Sequence, residues 1–246
     1  MKKIIYTGFF LLACIMSSCS DFLEKEPYED PSAETIKDEA SAIAMTNAAY
    51  QPMQRPKLYN MRIWALDIVA GNSEVGAGGG DDGIETIQLA NFVAGPDNFA
   101  AIDLWRGPNP GILYCNTVLK NVPEMNIKEE IKNRCMGEAK FLRASYYFTL
   151  VQLFGDVPLS LTPSKPGDDL FPVRVSKDKI YNEVIIPDLL EAIELLPRRE
   201  NYSSKDLGRA SKGAAAGILA KVYLTLGQYQ KCIEMCNMVE SFGYVL

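Results

Sequence analysis

The sequence predicts an all-α fold of packed helix pairs broken by one long irregular loop insertion, and three stretches carry that prediction. In IKNRCMGEAKFLRASYYFTLVQLFGDVPL, Ile131, Cys135, Leu142, Tyr146, Thr149, Leu150 and Leu153 recur at three and four, the repeat of a helix burying a stripe against its neighbours. In GRASKGAAAGILAKVYLTLGQYQKCIEMCNMVESFGYVL, a helix, a tight turn at Gly227 and a second helix follow one another. Between Ile63 and Trp105 no period survives, and Gly71, Gly76, Gly78, Gly79, Gly80 and Gly83 punctuate the segment.

In chain order, Lys2 and Lys3 precede an apolar run over residues 4–16, interrupted only by Tyr6, Thr7 and Gly8. The run is shorter than the roughly 20 apolar residues a spanning helix needs, so it reads as an export signal. Ser17 and Ser18 are small enough for a signal peptidase, and Cys19 directly after them resembles a bacterial lipobox. Lipidation at Cys19 would make it the first mature residue and give stable attachment through more than one acyl chain. The alternatives are LLAC, ending at Cys14 with a bulkier Leu12 beside the cut, and an ordinary secretory signal with an incidental cysteine. The expected division is a signal peptide over 1–18, an acidic tether over 19–38 and a helical domain over 39–246.

The 246 residues, 48% hydrophobic, suffice for one sizeable core or two small ones. Net charge is −6, and removal of the first 18 residues leaves 23 bases against 31 acids. An acidic chain without a basic patch argues against nucleic acid, whose phosphates call for lysine and arginine. No histidine is present, which removes the usual general base of Ser/His/Asp and Cys/His sites and the commonest zinc ligand. The glycines of the long loop form no G-x-x-x-x-G-K-[ST], so they lend nothing to phosphate binding. No cofactor or metal site is expected; Asp81 and Asp82 offer at most a weak calcium pair. Glu138, Glu183, Asp188 and Glu191, the acids on strongly patterned helices, have the spacing of solvent faces and helix ends rather than of a glycosidase pair. In an exported protein Cys115, Cys135, Cys232 and Cys236 could pair, but Cys232 and Cys236, four apart on a helix face, lie beyond a disulfide's usual reach, and the four read as small buried residues.

The first helix is expected over 40–53, closed by Pro52 and Pro56. Helical pattern resumes at LWRGPNPGILYCNTVLKNV. The long helix that follows is capped by Gly155 and barred by Pro158. A further helix over about 177–196 takes Ser176 as N-cap and must kink or restart at Pro187, whose ring nitrogen carries no proton. Ala210, Ala214, Ala215, Ala216, Gly217 and Ala220 allow close approach. Leu219, Tyr223, Leu224, Tyr229, Cys232 and Cys236 resemble the tetratricopeptide pattern, whose pairs stack to bury their apolar faces.

Gly137–Leu159 and Gly208–Tyr229 resemble the two best-known segments of the SusD/RagB family of outer-membrane nutrient-uptake lipoproteins. Cys19 followed by SDFLEKEP, Asp67, Trp105, Asn116, VIIPDLLEAI before Pro197, and the terminal GYVL come in that family's order. The resemblance implies a SusD-like all-α fold with tetratricopeptide-type helical pairs, and a binding protein rather than an enzyme. It further implies a surface-facing, lipid-anchored outer-membrane protein that delivers oligosaccharide, or in the RagB branch peptide, to a SusC-type TonB-dependent transporter. Asp21, Glu24 and Glu26 are similar to the acidic export signal of such lipoproteins. Sugar capture uses aromatic faces together with polar partners for hydroxyls. The long loop offers Asn72, Asp81, Asp82, Phe92, Asn98 and Phe99 for this, while Trp64 and Trp105 read as packing residues. The family's chain normally continues with a less regular half that supplies much of the ligand surface, so residues 39–246 are expected to match its N-terminal half. A helical-repeat adaptor without a ligand of its own is the remaining reading.

Overall fold

Helix α1, Glu39–Tyr50, begins where Asp38 accepts a hydrogen bond from the Ser41 amide at 2.8 Å, and it passes into a 3₁₀ turn, Gln51–Gln54, at Pro52. The computed structural model describes residues 38–58, 63, 65–76, 83–164, 167 and 172–244, all within one compact unit. Cys19, the signal and acidic residues around it, Trp64, Asp81 and Asp82 lie outside the described residues.

The segment expected to be irregular carries three short helices: α2, Ala65–Val69; α3, Ile84–Ala90; and α4, Phe99–Arg106. Too short for a clear period, they depend on caps and on each other; Asn98 caps α4 by accepting from the Ala101 amide at 3.0 Å. Helix α5, Pro108–Asn121, follows at once, with Pro108 and Pro110 in its first turn, where a missing N–H costs nothing.

Helix α6, Glu129–Phe154, is the centre of the fold, packing on α1 and α5 and on three later helices. The sequence expectation of one apolar stripe is corrected here: from Leu142 to Val151 every residue is buried, because helices cover α6 on all sides. Tyr146 crosses to α1, donating to the Ala49 carbonyl at 2.8 Å. Gly111 lets α5 lie against that ring, since a Cβ there would fall inside it.

Gly155, at φ +69°, ends α6. A short antiparallel hairpin follows, β1 Val157–Pro158 paired with β2 Arg174–Val175. Ser176 caps α7, Lys177–Ile180, as expected. The chain then passes through a π-helical turn, Tyr181–Ile185, into α8, Ile186–Leu195, whose first turn holds Pro187. Pro187 therefore restarts the helix rather than interrupting its hydrogen bonds. Helices α9, Lys212–Thr225, and α10, Tyr229–Glu240, form the last pair about Gly227, with α9 packed on α8. No helix among the described residues is long and apolar enough to cross a membrane.

Cys115 and Cys135 are buried and reduced, but Cys232 is half-buried and Cys236 exposed, a correction to the expectation that all four are interior. Both lie on α10, which has no fully buried residue.

Candidate functional site

A groove of about 1020 Å³ is walled by three separate parts of the chain. The end of α4 and start of α5 supply Trp105, Arg106, Asn109 and Leu113; α6 supplies Tyr147 and Leu150; the hairpin and its connection supply Leu159, Ser160, Thr162, Ser164 and Arg174. Trp105 is held edge-on to Phe154, ring centroids 5.1 Å apart, so packing fixes its plane while part of it faces the groove. The lining combines apolar surface with a few hydroxyl, amide and guanidinium groups, the composition of a small-molecule site.

The wall formed by residues 159–162 has no regular structure, and buried polar groups hold it. Tyr147 donates through its hydroxyl to the Ser160 carbonyl at 2.9 Å and accepts from the Ser160 amide at 2.8 Å. Asn116 on α5 donates to the same carbonyl at 3.0 Å and to that of Thr162 at 3.4 Å. Arg143 on α6 donates to the Asn116 side-chain oxygen at 2.9 Å and forks onto Asp188 of α8 at 2.7 and 2.9 Å. Lys140 reaches Asp188 at 3.3 Å and Glu191 at 3.0 Å. A bidentate guanidinium–carboxylate pair fixes direction as well as charge, so α8 sets Arg143, Arg143 sets Asn116, and Asn116 sets the groove wall. Burial pushes the Tyr147 phenol above its ordinary value, and the hydroxyl stays protonated as the donor that Ser160 requires.

A second polar cluster joins α1, α6 and the segment before α9. Glu138, wholly buried, takes Arg209 at 2.9 Å, has Arg134 at 3.6 Å and accepts a hydrogen bond from Tyr50. Arg209 also donates to Asp206 at 2.9 Å and Asn47 at 2.8 Å. Beside it lies a cavity of about 290 Å³ bounded by Arg199, Tyr202, Ser211 and Tyr244. The expectation that Glu138 and Asp188 occupy solvent faces and helix ends is thus corrected. Each is buried because arginines from other parts of the fold neutralise it.

Of the loop residues predicted for ligand binding, the described ones, Asn72, Phe92, Asn98 and Phe99, are not among those lining the groove. Asn72 is exposed after α2; Phe92 and Phe99 are 81% and 71% exposed on either side of the α3–α4 connection. Asn98 is buried, and its amide is used internally, donating to the Glu85 carbonyl at 2.8 Å and to Gln88 at 3.0 Å besides capping α4. Arg106, Asn109, Tyr147, Ser160 and Arg174 escaped the sequence reading. The signal that pointed toward them was the aperiodic, proline-bearing connection over 155–176 between two strong helices. Among the described residues no group of histidine, cysteine or carboxylate side chains could hold a metal ion.

A family model described as SusD-like, starch-binding associating with outer membrane, matches residues 21–224. The chain is 31% identical over 242 residues to SusD-like protein P2 of Formosa agariphila, covering 97% of this chain and 46% of that one. Among solved structures, a laminarin-binding SusD-like protein superposes with a TM-score of 0.76 at 30% identity, over 86% of this chain and 47% of the other. A SusD superfamily protein of Parabacteroides distasonis gives 0.72 at 30%, over 82% and 45%. The chain spans about half the length of the curated relatives it matches. With its helices, central α6 and terminal helix pair in place, the chain belongs to the SusD/RagB family of outer-membrane-associated proteins.

Proposed function

We propose that the chain is part of a surface lipoprotein, anchored through Cys19, that captures an oligosaccharide and passes it to a SusC-type TonB-dependent transporter without chemical change to the sugar. The observation that carries this reading is the groove between α4, α5, α6 and the hairpin, with Trp105 and Leu159 beside Asn109, Ser160, Thr162 and Ser164. Sugars present C–H faces and hydroxyl edges, and a lining of mixed apolar and hydrogen-bonding groups complements both. Because the Asn116–Ser160 and Tyr147–Ser160 hydrogen bonds already order the wall, binding does not have to meet the entropy of ordering that segment. A solved relative described as laminarin-binding supports the ligand class.

The test has two arms. Calorimetry of the purified chain against a panel of oligosaccharides and peptides should give saturable heat with a sugar, and solubilisation from native membranes in mild detergent should recover a large β-barrel with it. Binding of peptides alone would assign it to the peptide branch. No binding to the panel, with the barrel still recovered, would leave a docking role only.

A further inference from the structure

We propose that the groove selects acidic oligosaccharides, sugars bearing carboxylate or sulfate groups, with Arg106 and Arg174 as the residues that read the charge. The proposal rests on the oligosaccharide reading above and narrows its ligand class.

The chain is acidic, with 31 Asp and Glu against 25 Lys and Arg, yet the described residues lining the groove include two arginines and no carboxylate. Three arginines of the helical core are engaged: Arg143 with Asp188, Arg209 with Glu138 and Asp206, Arg134 with Glu138 and Asp206. Arg106 and Arg174 have no ion-pair partner among the described residues, and both are exposed. They come from different elements, the end of α4 and strand β2, so the fold brings to one cavity two guanidiniums that are unpaired among the described residues. A guanidinium presents a planar fork of donors that matches a carboxylate or sulfate, and next to apolar surface such a pair is stronger than in open water. A neutral glucan would leave both charges unused. An acidic ligand approaching this chain meets repulsion from the net charge of −6, and a local positive site offsets it at short range. Asn109, Ser160 and Ser164 remain for sugar hydroxyls.

The experiment is calorimetry of the full chain with four probes: an oligogalacturonate, a sulfated galactan oligosaccharide, a neutral laminarin oligosaccharide and an oligoglutamate peptide. One or both acidic sugars should bind about tenfold more tightly than the laminarin oligosaccharide at low salt, with the gap closing at high salt. The double variant Arg106→Gln/Arg174→Gln, at exposed positions and checked for native helicity by circular dichroism, should lose about tenfold more affinity toward the acidic sugar than toward the neutral one, so that the preference disappears. Preference between oligogalacturonate and the sulfated sugar then says which acid is read. Equal affinity for neutral and acidic sugars, unaffected by the double substitution, would overturn the proposal and leave the oligosaccharide reading standing. Failure of every sugar to bind would remove both, and tighter binding of oligoglutamate would overturn it in favour of a peptide site.

Discussion

Replacing Arg143 with methionine removes the guanidinium that neutralises Asp188 and orients Asn116. The Arg143 side chain is 10% exposed and that of Asp188 4%, so the orphaned carboxylate cannot turn to solvent. Breaking a buried pair by removing one partner costs about 3–5 kcal/mol. Lys140 stays 3.3 Å from Asp188, which places this term at the low end. The Asn116 oxygen loses its donor as well, worth about 1 kcal/mol. The expected loss is therefore about 4 kcal/mol in urea unfolding followed by circular dichroism. In the double variant Arg143→Met/Asp188→Leu no buried charge is stranded, and Lys140 retains Glu191 at 3.0 Å, so stability should return to within about 1 kcal/mol of wild type. The single variant should also bind sugar more weakly, since the carbonyls of Ser160 and Thr162 lose a correctly held Asn116. A single substitution costing under about 1 kcal/mol, or a double variant no more stable than the single, would refute the buried-network reasoning.

Gly111→Ala should destabilise by about 3 kcal/mol in the same assay, because its Cβ would occupy space filled by the wholly buried Tyr146 ring; an unchanged midpoint would contradict that packing. Burial pushes the Glu138 carboxyl above its ordinary 4.5, with Arg209 pulling the other way. A raised carboxyl contributes stability that is full below 4.5 and lost as pH climbs through the folded value, so Glu138→Gln should gain on wild type as pH rises above 4.5, and a pH-independent gap would contradict it. In a variant with Cys14 and Cys19 changed to serine, a maleimide at neutral pH should label Cys236 at once. Cys115, whose thiol burial pushes upward, should react only on unfolding, and its prompt labelling would show that α5 is not packed as described.

The sequence disclosed what depends on neighbours in the chain. Gly155, Ser176 and Pro187 mark the ends and restart of α6, α7 and α8 through backbone rules that act within a few residues. The three-and-four spacing of Cys135, Leu142, Tyr146 and Leu150 disclosed a buried helix, but one stripe could not reveal that α6 is covered all round. Acids were misplaced for a related reason. Asp188 and Glu138 look like surface residues until arginines 45 and 71 residues away are set against them. The groove stayed hidden because its walls come from three segments that meet only after α6 has been packed. The short helices α2 to α4 were missed because each is fixed by a cap or a neighbour, as Asn98 fixes α4, and not by a period.

The most direct test of the central claim, that the groove receives a sugar, uses the two tryptophans of the chain. With Trp64 changed to phenylalanine, Trp105 at the groove wall is the sole indole reporter. Titration with a sugar that gives heat in calorimetry should produce a saturable change in its fluorescence with the same Kd. Measurable heat with no response from Trp105 would place the sugar elsewhere and contradict the site.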